Sequence, residues 1–219
     1  MDKVYLYFLL FLIYSFIGWS IEVVGKLIEK HRFINRGFLI GPICPIYGWG
    51  CLFMILLLTR YKGDPIVLFW MAILICSILE YFTSYFMEKL FHARWWDYSK
   101  NKYNINGRIC LETMLPFGIL STIVIYVVHP LVIKFVSLFS NTLLIILTIL
   151  FGILFIVDNI VSFNVMFNIK KEFHKIKKDN TDYIKGKVSK WLEENTYLYK
   201  RIRYAFPNFK IKNIIKKMS

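Results

Sequence analysis

The sequence predicts an all-α integral membrane bundle of about five transmembrane helices, N-terminus outside and C-terminus inside. Three observations carry that prediction. Of the 219 residues, 57% are hydrophobic and 18% aromatic, whereas an average soluble domain is about 45–50% apolar. The excess gathers in runs of about 20 residues, the length that crosses a ~30 Å hydrocarbon core at ~1.5 Å per residue. Of the 28 Lys and Arg residues, 24 fall on one side of the membrane once these runs are threaded through it.

The spans read in order as about 4–24, 38–58, 66–86, 109–132 and 143–163. The first is retained rather than cleaved: its short leader holds one Lys and one Asp, and its long apolar run ends in Glu22 and Lys26 without an A-x-A-like site. Lys and Arg number four in residues 26–36, five in 89–108 and fifteen in the tail. The opposite side holds only Lys3, Arg60, Lys62 and Lys134. The positive-inside rule assigns the rich side to the cytoplasm. Residues 1–168 therefore form the transmembrane domain and 169–219 a basic cytoplasmic tail.

The net charge of +14 lies mostly in that tail, beside the membrane. There it reads as contact with anionic lipid headgroups, at ~1 kcal/mol per Lys or Arg near the surface, and not as nucleic-acid binding. Cys44, Cys51, Cys76 and Cys110 have no C-x-x-C spacing and read as apolar packers. The four histidines are scattered, without H-x-x-x-H spacing. Neither a metal nor a cofactor is expected. Walker A, nucleophile-elbow and H-E-x-x-H motifs are all absent, so no catalytic residue is assigned.

Helix 1 carries Ser15, Gly18, Glu22 and Gly25 on one stripe, a seam of small residues that lets helices approach closely. The second span starts irregularly: residues 35–50 hold four glycines and two prolines. Pro42 and Pro45 each remove an N–H donor. Residues 37–45 read as a re-entrant or broken entry, with a kinked helix as the alternative, and regular helix follows from about Ile46 to Leu58.

Helix 3 aligns Ser77, Glu80, Ser84 and Glu88. Glu80, about two turns inside the span, has a short side chain that does not reach the headgroups, so it needs a partner or a proton. Glu88 lies close enough to the headgroups for solvent to account for it. The loop that follows interleaves Arg94 and Asp97 with Trp95, Trp96 and Tyr98. An interfacial aromatic belt explains the rings but not the charges. Asn106-Gly107 is a turn dipeptide that delivers Arg108 to helix 4, one turn from Glu112, so an Arg108–Glu112 pair is available. Helix 5 ends in Asp158, Asn159, Ser162 and Asn164. The tail spaces Val188, Trp191, Leu192, Asn195, Leu198 and Ile202 as a basic amphipathic helix running to about Phe206, with a partly disordered tail as the alternative.

Glu22, Asn35, Arg36, Glu80, Arg94, Asp97, Asn106, Arg108 and Glu112 thus fall toward one face. An ion, a zwitterion or a lipid headgroup suits such a set. The strings Ile17-Gly18-Trp19-Ser20-Ile21-Glu22, Asn35-Arg36-Gly37-Phe38-Leu39-Ile40-Gly41-Pro42, Leu79-Glu80-Tyr81, Trp95-Trp96-Asp97-Tyr98-Ser99 and Asn106-Gly107-Arg108-Ile109-Cys110-Leu111-Glu112 carry a family resemblance. Over about residues 14–130 the chain resembles the ABC-transporter permease family called type IV, or CmpB-like.

The resemblance implies a multi-pass permease of the bacterial cytoplasmic (inner) membrane. As a transport subunit it needs a second copy of itself or a separate ATPase, and the polar cluster lines its substrate or ion path. Two other readings stay open. One is a membrane-embedded enzyme acting on lipid headgroups or a prenyl-linked substrate, with Glu80 as acid or base. The other is a structural or regulatory protein whose acids and arginines pair across helices.

Overall fold

The computed structural model describes residues 3–35, 37–91, 93–178 and 210–211. Its helices are α1 (Lys3–Lys30), α2 (Pro45–Leu58), α3 (Pro65–Phe91), α4 (Leu111–Ile123), α5 (His129–Val136) and α6 (Asn141–Lys178). Among the described residues, four stretches are long and apolar enough to cross a membrane: Val4–Lys30, Pro65–Phe91, Leu111–Val136 and Asn141–Asn168. The fold is therefore an all-α multi-pass membrane bundle. Large apolar side chains such as Trp70, Ile119, Ile153 and Ile160 stay exposed on its outer surface, as lipid contact requires.

The fifth apolar segment is built differently. α2 has 14 residues, about 21 Å at ~1.5 Å per residue, too short to cross alone. Its approach, residues 37–44, is not helical. The helix starts at Pro45, where a missing N–H costs nothing because the first turn has no partner for it. The irregular start is thus a broken entry and not a kinked helix.

α4 and α5 form one rod joined by a π-helical stretch, Val124–Val128. Pro130 explains the stretch: in a regular helix its ring would meet the Tyr126 carbonyl, and one wider turn relieves that clash. α1 and α2 pack closely along the small-residue stripe. Gly48 faces Ser15 and Phe11, and a Cβ there would lie 2.6 Å from the Phe11 carbonyl oxygen. Tyr47 lies over Gly18, while among the described residues nothing lies within 4 Å of the Cβ direction of Gly25. The core of the bundle gathers Leu10, Tyr14, Leu58, Leu68 and Ala72, each at most 1% exposed.

α6 continues past residue 168, where the composition turns basic, as far as Lys178. Most of the expected amphipathic tail helix, residues 179–209, lies outside the described residues. Two-residue strands complete the fold. β1 (Ala93–Arg94) pairs with β4 (Lys210–Ile211), and β2 (Asn104–Ile105) with β3 (Ile109–Cys110).

Candidate functional site

The polar end of the bundle is made by the end of α1, the broken entry, the end of α3, the 93–110 loop and the second half of α6. The entry is tied down by side chains. Asn35 Oδ1 accepts from the Trp19 indole at 2.8 Å and from the Gly37 amide at 3.1 Å, and its Nδ2 donates to the Ile40 carbonyl at 2.8 Å. Across the bundle, the Asp158 carboxylate accepts the amides of Ile40 and Gly41, both at 2.9 Å. Ser162 supports it, donating to Asp158 Oδ1 at 3.1 Å. These bonds let non-helical backbone persist at membrane depth. They also occupy two amides that a broken helix otherwise offers to a ligand. Arg36 lies outside the described residues.

The loop after α3 aims its charges inward. Asn106 and Gly107 both take positive φ, 53° and 65°, and the Arg108 amide donates to the Ile105 carbonyl at 3.0 Å. This is a type I′ turn, for which Asn-Gly is the favoured pair. The Tyr98 amide donates to the Gly107 carbonyl at 2.8 Å and the Trp96 indole to the Arg108 carbonyl at 3.0 Å, so the loop folds back on the hairpin.

Arg94 and Arg108 then converge on one carboxylate of α3. Glu88 Oε2 receives Arg94 Nη2 at 3.1 Å and Arg108 Nη2 at 2.9 Å. Arg94 Nη1 also lies 3.3 Å from Asp97 Oδ1, and Asp97 caps the local turn through the Ser99 amide and hydroxyl. Arg108 lies over the rings of Tyr81 and Tyr85, at 5.3 and 5.4 Å from their centroids. Asn106 donates to the Tyr81 hydroxyl at 2.9 Å.

Three sequence readings are corrected here. Glu88 is not left to solvent at the headgroups; it is 7% exposed and is the hub of the ion pairs. Arg108 pairs with Glu88 and not with Glu112 one turn on; Glu112 instead accepts the Asn101 side-chain amide at 2.6 Å, on the exposed first turn of α4. The turn at Asn106-Gly107 rotates Arg108 back toward α3. Trp95 is not part of an interfacial belt either. It is 5% exposed and packs on Phe38 and Phe91, which with Phe163 form an aromatic plug.

Glu80 contrasts with Glu88. It is 8% exposed. Its Oε1 accepts the Tyr98 hydroxyl at 3.3 Å, and among the described residues its Oε2 has no hydrogen-bond partner. Ser77, one turn before it and 5% exposed, also has an unpartnered hydroxyl. Glu22 is held from α2, its Oε1 accepting the Tyr47 hydroxyl at 2.6 Å.

The structure therefore sorts the sequence-derived residues into three places. Arg94, Asp97, Asn106 and Arg108 gather around α3, with Glu80 reached through Tyr98. Glu22 and Asn35 engage Tyr47 and the entry. Glu112 stands apart. Sequence reasoning missed Tyr98 and Tyr47 as partners of the acids, and Asp158 as the cap of the entry. Among the described residues no group of three or more His, Cys, Asp or Glu is placed to hold a metal.

Long apolar helices with buried acids and arginines gathered toward one end define a multi-pass membrane protein. The family model described as "Putative ABC-transporter type IV" matches residues 9–163, more than half of the chain. The chain belongs to that family. No curated protein and no solved structure matches it.

Proposed function

We propose that this chain is the permease-like membrane subunit of an ABC-transporter-type assembly, with Glu80 as the group that meets substrate or ion. The observation that carries the reading is the state of Glu80: a carboxylate in the interior of a membrane helix, with one oxygen unpartnered. Ionisable side chains at such depth are costly to insert, ~2.5–3.5 kcal/mol on translocon scales, and are kept for function. Glu88, Arg94, Arg108 and Asp97 set two carboxylates against two guanidiniums, so they act as the frame that holds Tyr98 over Glu80.

In this reading the polar end faces the cytoplasm of a bacterial inner membrane, supported by the 24 Lys and Arg on that side. The basic tail rests on anionic lipid. A separate ATPase, or a second copy of the chain, completes the assembly.

Purification of the full chain in mild detergent tests this. A co-purifying ATPase or dimer, and a solute-dependent thermal shift lost in Glu80→Gln, are expected. A monomer with neither partner nor shift contradicts the reading.

A further inference from the structure

Ser77 and Glu80 stand one turn apart on α3 and share its buried face, at 5% and 8% exposure. Among the described residues, the Ser77 hydroxyl and Glu80 Oε2 have no hydrogen-bond partner, and so are not bonded to each other. Side chains at this spacing leave the helix about 5–6 Å apart, so one small ion between them can touch both oxygens.

This level of α3 is enclosed. Cys76, next to Ser77, places its sulfur 3.8 Å from the Met54 sulfur of α2 and 3.8 Å from the Ser121 hydroxyl of α4. Leu79, next to Glu80, packs toward α2, where a Cβ on Gly50 would lie 3.5 Å from Leu79 Cδ2. On the side of the polar end, the Tyr98 hydroxyl reaches Glu80 Oε1 at 3.3 Å. Ser84 and Glu88, 4% and 7% exposed, continue the same face toward that end.

Charge narrows what can fill the gap. Among the described residues no Lys, Arg or His pairs with Glu80; Arg94 and Arg108 are both drawn to Glu88. A buried carboxylate with an unpaired oxygen destabilises the fold unless a cation meets it. A proton on Oε2 would neutralise the charge but turn that oxygen into a donor, leaving the Ser77 hydroxyl as it stands. A cation set between the two takes a lone pair from each.

We propose that Ser77 Oγ and Glu80 Oε2 hold one monovalent alkali cation, with the Tyr98 hydroxyl oxygen as the nearest further donor. Oxygen donors suit alkali and alkaline-earth ions and not soft metals. A single carboxylate balances a single positive charge. A divalent ion would leave net charge buried, which Ca²⁺ sites avoid by gathering many oxygen ligands. Binding makes and breaks no covalent bond. The proposal rests on the reading of Glu80 as the group that meets substrate or ion, and names the class of that ion.

Thermal unfolding of the full chain in mild detergent tests the site, with NaCl or KCl exchanged against choline chloride at constant ionic strength. The wild-type midpoint is expected to rise by about 5–10 °C when the alkali ion is about 100-fold above half-saturation, and not to rise in choline. Glu80→Gln is expected to lose the rise. Ser77→Ala removes a hydroxyl that bonds to nothing among the described residues. It is therefore expected to fold with wild-type yield but to need about tenfold more ion for half the rise.

A midpoint no higher in NaCl and KCl than in choline overturns the proposal. So does a larger rise with calcium chloride at equal ionic strength, or a wild-type response in Ser77→Ala. Should Glu80→Gln not fold, Ser77→Ala and the binding of radiolabelled sodium to the wild-type chain decide; no binding displaceable by unlabelled NaCl overturns the site. A solute-dependent shift without an alkali response sinks the cation site and leaves the transport reading standing. An alkali response without partner or solute sustains the site and removes the transport reading.

Discussion

Glu80 and Glu88 lie two turns apart on the same face of α3 and are equally buried, at 8% and 7% exposure. Their surroundings are opposite. Glu88 receives two guanidiniums from a loop that folds back over it. Glu80 receives one tyrosine hydroxyl and leaves an oxygen unpartnered. Burial alone therefore does not distinguish a structural acid from a functional one. What distinguishes them is whether the fold brings enough donors to compensate the charge. A compensated acid holds helices and loops together; an uncompensated one stays available to an incoming cation, proton or donor group.

Substitutions that separate the two acids break or sharpen this contrast. Glu88→Gln should do the most damage, because it strands Arg108 and leaves Arg94 only Asp97 in a half-buried site. Breaking such a pair costs about 3–5 kcal/mol. Loss of folded yield and a clear drop in thermal midpoint in detergent are expected, and an unchanged midpoint would show the pairs to be incidental.

Asp158→Asn should come next. The Ile40 amide also reaches Ser162 Oγ at 3.2 Å, whereas Gly41 depends on Asp158 Oδ2, and an amide left unpaired in the interior costs about 1–3 kcal/mol. Hydrogen exchange at Gly41 should quicken, and protection equal to wild type would contradict the capping role. Gly48→Ala tests the packing of α1 on α2, where the new methyl meets Ser15 and Phe11. Overpacking of this kind costs about 1–3 kcal/mol, read as a lower midpoint without loss of the ion pairs. Glu80→Gln should have the smallest effect on stability, within about 1 kcal/mol, since a single hydrogen bond is at stake.

Local patterns made much of this visible in the sequence. The apolar runs announced the spans, and Pro42 and Pro45 announced the broken entry, because these depend on length and on backbone chemistry. The stripe Ser15-Gly18-Glu22 announced the α1 seam, and the short reach of Glu80 announced that it needs a partner or a proton. What stayed hidden depends on contacts between segments far apart in the chain. Arg108 was read against Glu112, its neighbour in sequence, whereas the Asn106-Gly107 turn swings it onto Glu88, twenty residues back. Asp158 reaches the entry from 117 residues away, and Tyr14 meets His129 across 115. No periodicity encodes such pairings. The π-helical turn was missed for a different reason: Pro130 marks a disturbance in the helix but not which irregular turn absorbs it.

The most direct test of the division between the two acids is solute uptake by cells that lack this protein and are complemented with Glu80→Gln, at chain levels matched to wild type in the membrane fraction. The account predicts wild-type amounts of folded protein with uptake no higher than in the uncomplemented strain. Wild-type uptake by Glu80→Gln would contradict it, and would make Glu80 as much a part of the scaffold as Glu88.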